Sequence, residues 1–118
     1  MVAFYDAVLA PSDLKRRESV EAAGPAGVIW YMEGKRCPQF AIRAPFDGEA
    51  ARAGNGVQVS FAVSDGHAVE ACWRAALDAG GTDEGEPGIR VRYAPDFFAA
   101  YCRDPEGNKL CFVHAEGL

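Results

Sequence analysis

Histidine is nearly absent: the chain of 118 residues has only His67 and His114, far apart in sequence. No closely spaced histidine pair is present to hold a metal, and no Ser-His-Asp arrangement is indicated. Basic residues are outnumbered, with 12 Lys and Arg against 17 Asp and Glu, a net charge of −5 and a pI near 4.9. A basic surface of the kind that nucleic acid or an anionic membrane demands is therefore not expected. No apolar run is long enough to span a bilayer, and the opening residues do not read as a signal segment. The four cysteines, Cys37, Cys72, Cys102 and Cys111, include no Cys-x-x-Cys pair. They read as reduced, partly buried thiols of a cytoplasmic protein rather than as a disulfide framework. Gly54-Asn55-Gly56 lacks the Gly-Lys that a phosphate-binding loop requires and reads as a link.

What is present points to a folded domain. Hydrophobic residues make up 49% and charged residues 25% of the chain, enough to bury a core without metal or disulfides. Val69, Cys72, Trp73, Ala76 and Leu77 fall at i, i+3, i+4, i+7 and i+8, one apolar helix stripe. Ser64 or Asp65 can cap this helix and Gly80-Gly81 can end it. Met1, Phe4, Tyr5, Val8 and Leu9 repeat the stripe at the start, and Pro11 stops that helix.

Three strand-like runs follow each helix. In the first half they are Glu18–Ala23, Val28–Met32 and Gln39–Ala44; in the second, Ile89–Tyr93, Phe98–Arg103 and Lys109–His114. A further run, Val57–Val63, precedes the second helix. Gly24-Pro25, Gly34 and Asp104-Pro105-Glu106-Gly107-Asn108 supply turns, and Lys15-Arg16-Arg17 reads as a solvated turn. The segment from Tyr31 to Ile42 lies over that from Tyr101 to Phe112 without a gap. The pattern is a duplicated strand–helix–three-strand module in one domain: residues 1–50, a linker at 51–55, and residues 56–118. The first module has no leading strand in this sequence. Loss of that strand, residues upstream, or a partner chain would each account for it.

Paired modules of this plan resemble the glyoxalase/bleomycin resistance protein/dioxygenase (vicinal oxygen chelate) superfamily. The likeness is carried by Ala3-Phe4-Tyr5-Asp6-Ala7-Val8-Leu9, by Gly56-Val57-Gln58-Val59-Ser60-Phe61, and by Ala100-Tyr101-Cys102-Arg103-Asp104-Pro105-Glu106-Gly107-Asn108-Lys109-Leu110. It implies an α+β fold, with a curled mixed sheet around a cleft, and homodimerisation. It also implies metal ligands on the first and last strand of each module. This sequence departs there: Ala41 cannot ligate, Gln58 stands where His is usual, and Cys111 stands where Glu is usual. No cofactor is therefore expected.

Strand alternation separates Gln39, Ala41 and Arg43 from Phe40 and Ile42, and Gln58 and Ser60 from Val57, Val59 and Phe61. It also separates Lys109, Cys111 and Val113 from Leu110, Phe112 and His114. The apolar sets should pack under the helices. Arg43, Gln58, Ser60, Tyr101 and Cys111 are then the cleft candidates. Arg43 offers a fork to an anionic ligand or is a surface arginine at a strand end. Gln58 orients a ligand or merely lines the cleft. Cys111 reads as an inert thiol, since no histidine partner stands at fixed spacing. His114 is a structural histidine unless the final strand slips by one residue.

Three functions remain in view. One is a metal-free module that binds a small molecule, possibly anionic, in its cleft. The second is a metal-dependent lyase or ring-cleaving dioxygenase whose ligands are completed by a partner chain or upstream residues. The third is a structural partner that pairs with another copy through an uncovered strand edge. The departures at Ala41, Gln58 and Cys111 favour the first.

Overall fold

The computed structural model describes residues 1–17 and 27–118. Its elements run α1 (Val2–Leu9), β1 (Leu14–Arg17), β2 (Gly27–Met32), β3 (Gln39–Arg43), β4 (Gln58–Ala62), α2 (Gly66–Asp78), β5 (Thr82–Ile89), β6 (Phe98–Arg103) and β7 (Lys109–His114). They form an α+β fold with two sheets. The first has the order β1-β2-β3 and is antiparallel; the second has the order β4-β7-β6-β5, with β4 parallel to β7.

Both helices lie where the apolar stripes place them. Phe4, Tyr5, Val8 and Leu9 of α1 are buried, as are Val69, Cys72, Trp73 and Ala76 of α2. Asp65 caps α2, its Oδ1 accepting a hydrogen bond from the Ala68 amide at 2.8 Å. Gly80 adopts a left-handed φ of 101°, which lets the Gly81 amide turn back onto the Ala76 carbonyl and close the helix end. The helices cover Trp30, Phe61, Ala100, Cys102, Leu110 and Phe112. Phe40 and Ile42 pack partly buried against the same core. An aromatic chain joins the modules: Phe40 of β3 lies 4.8 Å from Tyr5 and 5.1 Å from Phe61 of β4, and Phe61 stacks on Phe112 at 5.9 Å.

Two strand boundaries differ from the sequence reading. Lys15-Arg16-Arg17 belongs to strand β1 and is not a turn; it pairs with Tyr31, Trp30 and Ile29. This strand is polar because it is the described edge of its sheet, and Arg16 reaches back to Asp6 of α1 at 3.2 Å. The strand expected at Glu18–Ala23, with the turn after it, lies outside the described residues. In the second module the edge strand is β5, Thr82–Ile89, and not Ile89–Tyr93. Its sequence is poor in strand formers and includes Pro87, which an edge tolerates because no partner there needs the missing amide. Register shifts along β5 reflect the same weak specification. Val91 and Tyr93 are left exposed in the following loop.

The terminal hairpins are also not equivalent residue for residue. Tyr31 pairs with Gln39, whereas Tyr101 pairs with Cys111. The gapless sequence overlay would set Gln39 beside Lys109. The first hairpin therefore opens two residues earlier, which preserves faces but shifts partners.

Asp104 anchors the second hairpin. Its side chain is 3% exposed and accepts from the Glu106 and Asn108 amides, from Asn108 Nδ2 and from Tyr5 Oη, the last at 2.6 Å. Burial and the adjacent Asp104 carboxylate push the Tyr5 phenol pKa upward, so it remains a donor. Tyr5→Phe is expected to lower stability by about 1.5–3 kcal/mol, the range for a buried hydrogen bond to a charged group. Asp104→Ala should cost more, because it strands donors from three residues. Urea unfolding of both variants checks the size and the order.

Burial alone raises the Cys72 thiol to about 12, and burial with nearby Asp104 and Asp83 raises Cys102 to about 12, each from 9.0. Folded chains hold these protons more tightly than unfolded ones. Their contribution is complete below about 9 and is lost as pH rises towards about 12. Cys72→Ala is expected to flatten the fall in stability between these limits, as read from urea midpoints across alkaline pH.

Candidate binding face

The polar candidates on the second sheet meet through strand pairing. Ser60 of β4 lies opposite Cys111 of β7, which lies opposite Tyr101 of β6, which lies opposite Gly85 of β5. Gln58 is two residues from Ser60 on the same face, and its Nε2 donates to Ser60 Oγ at 3.0 Å. Gln58 and Ser60 are exposed, Tyr101 is half-buried and Cys111 is buried. Beyond this row, Ala99 and Val113 form a small apolar floor with Cys111, against which Phe97 and Tyr101 pack.

Cys111 sits among groups that favour its thiolate. Ser60 and Tyr101 stand beside it with hydroxyls that favour the thiolate, and Arg90 and Lys109 place positive charge nearby. Desolvation is the largest effect, however, and leaves the thiol pKa raised. Burial first, then the neighbouring Cys111, also raises the Tyr101 phenol. Both groups therefore stay protonated at neutral pH.

Arg90 and Lys109 were not singled out from sequence. The Arg90 guanidinium and the Lys109 ammonium each lie 5.5 Å from the Tyr101 ring centroid. Arg90 Nη2 donates to the Glu86 carbonyl at 2.6 Å. Two glycines make room for it: a Cβ on Gly85 would stand 3.0 Å from Tyr101 Cδ2 and 3.2 Å from Arg90 Nη2, and one on Gly88 would stand 3.0 Å from Arg90 Nη1. The sequence trace of this cradle is Gly85-Glu86-Pro87-Gly88-Ile89-Arg90, legible only once β5 is known to be a strand. Alternation along β7 puts Lys109 on the Cys111 side, but nothing in the sequence sets it over Tyr101.

Arg43 stands elsewhere. It pairs with Gly27 across the first sheet, and its Cγ would lie 2.6 Å from a Cβ at that glycine. It lines a cavity of about 670 Å³ with Tyr5, Phe40, Ile42, Val57 and Val59. None of Gln58, Ser60, Tyr101 or Cys111 lines that cavity, although Lys109, at the start of β7, borders it. Val57 and Val59 alternate with Gln58 and Ser60, so the cavity and the polar row occupy opposite sides of β4. The cavity opens along β3, whose outer edge carries no strand among the described residues. The corresponding edge of β7 carries β4.

His67 is exposed near the start of α2. Val63 O accepts a hydrogen bond from His114 Nδ1 at 3.0 Å, which makes that histidine a structural tie between β4 and β7.

The structure is similar to a glyoxalase/bleomycin resistance protein from Albidiferax ferrireducens T118, with 31% identity and a TM-score of 0.78, over 95% of this chain and 84% of that one. The chain belongs to the glyoxalase/bleomycin resistance protein/dioxygenase superfamily. Superfamily structures from Burkholderia phytofirmans PsJN and Frankia sp. EAN1pec share the fold at 18% and 14% identity, with TM-scores of 0.67 and 0.70. They cover 97% and 98% of this chain and 87% and 86% of their own. No protein-family model and no curated protein matches the sequence.

The superfamily's divalent metal does not fit the donors present. Ala41 has none, and Gln39, the residue paired with Tyr31 as Cys111 is with Tyr101, donates its amide to the Arg36 carbonyl at 2.8 Å. Gln58 offers only a neutral amide oxygen and Cys111 a single buried thiol, too few anionic donors for a hard divalent cation. Among the described residues no three His, Cys, Asp or Glu side chains are grouped as a metal site. No helix described is long and apolar enough to cross a membrane.

Thiol accessibility gives a direct check on this face. At pH 8 one thiol, the exposed Cys37, is expected to react rapidly with Ellman's reagent. Cys72, Cys102 and Cys111 should react only slowly until the chain is unfolded, and rapid labelling of Cys111 would show that its sulfur is not sealed.

Proposed function

We propose that this superfamily member binds a small molecule on the second-sheet face formed by Ser60, Cys111 and Tyr101, without a divalent metal. The observation that carries this reading is the single cross-strand row joining Ser60, Cys111, Tyr101 and Gly85, with Gln58 at its open side. Hydroxyl and amide groups there can orient ligand oxygens, while half-buried Phe97 offers apolar contact. The row favours binding over proton transfer. Its titratable members, Cys111 and Tyr101, have pKa values raised away from neutrality, so neither is a base at working pH.

A second reading places the ligand in the cavity of about 670 Å³ on the other side of β4. Its volume lies within the usual range for small-molecule sites, and its walls are mainly apolar, with Arg43, Arg52, Glu106 and Lys109 among them. Exposed residues on β4 and just before it separate the two. Ser60→Trp obstructs the polar row, whereas Val57→Trp projects into the cavity mouth. In a ligand-observed NMR screen of a fragment library, hits are expected to survive Val57→Trp and to be lost in Ser60→Trp. The reverse pattern moves the site to the cavity.

Cys111→Ser is expected to leave binding nearly unchanged, while loss of a discovered turnover in that variant would establish a catalytic thiol. Elemental analysis of tag-free protein is expected to find metal far below one equivalent per chain. Near-stoichiometric metal would overturn the metal-free reading and bring the lyase or dioxygenase forward.

A further inference from the structure

The geometry points to an anion subsite on this face, in which Arg90 and Lys109 flank Tyr101 and receive the compact negative head of an aromatic ligand. This inference rests on the binding-face reading above and names the ligand class.

Three observations converge on it. First, the two cations approach one ring, each 5.5 Å from its centroid, in a chain whose net charge is −5. Second, they differ from the neighbouring cation. Arg103 is neutralised by Glu84 at 2.6 Å and also donates to the Gly107 carbonyl. Among the described residues Arg90 forms no ion pair, and its Nη2 serves the neutral Glu86 carbonyl. Lys109 likewise has no carboxylate partner among them; its ammonium lies over the Tyr101 ring, and the residue also borders the cavity. Third, Arg90 is held in place. The bare positions at Gly85 and Gly88 admit the guanidinium, and the Glu86 carbonyl fixes one of its nitrogens. A positioned fork suits a carboxylate, sulfonate or phosphate, and the ammonium adds a second charge-assisted bond.

The remainder of the ligand follows from the surroundings. Tyr101 offers the exposed part of its ring to an aromatic body, and half-buried Phe97 offers apolar contact beside it. Ser60 and Gln58 stand at the open side to accept or donate to a ring substituent. The class that satisfies all three zones is a small aromatic acid.

Benzoate and its neutral isostere benzamide test the assignment, titrated into the full chain and followed by backbone amide NMR. Benzoate is expected to shift the amides of Ser60, Tyr101 and Cys111. Benzamide should bind the same strands about tenfold more weakly, a typical difference for one charge-assisted contact. Lys109→Gln and Arg90→Gln should each weaken benzoate severalfold and leave benzamide unchanged, and added salt should weaken benzoate alone. If Arg90→Gln disturbs the fold, Lys109→Gln alone carries the comparison.

Equal binding of the two probes at these strands, unaffected by either substitution, overturns the anion subsite and leaves the binding face standing. Shifts confined to cavity residues such as Ile42 and Val57, or no shift with either probe, overturn the binding face and the subsite together.

Discussion

The buried carboxylate of Asp104 receives hydrogen bonds from its own hairpin and from the first helix, and much of the architecture is arranged around that convergence. A carboxylate removed from water is costly unless donors surround it. Here Glu106, Asn108 and Tyr5 supply them. The same bonds fix the turn between β6 and β7, and with it the register that sets Cys111 beside Tyr101. Through Tyr5 they also bind α1 to the second module, where the aromatic chain of Phe40, Phe61 and Phe112 continues the link. A polar anchor and an apolar bridge thus join the two halves at neighbouring points.

Division of labour across the second sheet follows from this. The face under the helices carries Phe61, Leu110 and Phe112, and the other face carries the short polar row. Small residues on β5 let long side chains lie across the row rather than stand away from it. The buried thiol in its centre stays neutral, since burial outweighs the four groups that would favour its ionisation. The face is chemically quiet but rich in orientation: hydroxyls, an amide, a ring and charge.

Much of this was legible in the residues. The stripe of Val69, Cys72, Trp73 and Ala76 marks α2 because helix burial has a strong period, and β6 and β7 begin and end where their sequences suggest. Alternation alone sets Gln58 and Ser60 on one side of β4. Two of the edge strands, β1 and β5, were not legible. Leu14–Arg17 and Thr82–Ile89 bury little, so their composition is free of the hydrophobic pattern that announces a strand. The different register of the two hairpins escaped a gapless overlay because pairing depends on turn geometry. Arg90 escaped notice because its position depends on β5, and Arg43 lies at the cavity because the first sheet carries it there.

The parallel seam between β4 and β7 has a kinetic consequence. Ser60 and Cys111 are roughly fifty positions apart, and α2, β5 and β6 all lie between them. Closing so long a loop costs chain entropy before any contact repays it, and sheets made this way form slowly. The β6–β7 hairpin, by contrast, needs only a short turn. Tyr101 and Cys111 can meet early in folding, whereas Ser60 and Gln58 join them only when the β4 seam closes. The polar row is therefore completed by the most non-local step of its sheet, and its integrity reports on whether the second module has finished folding.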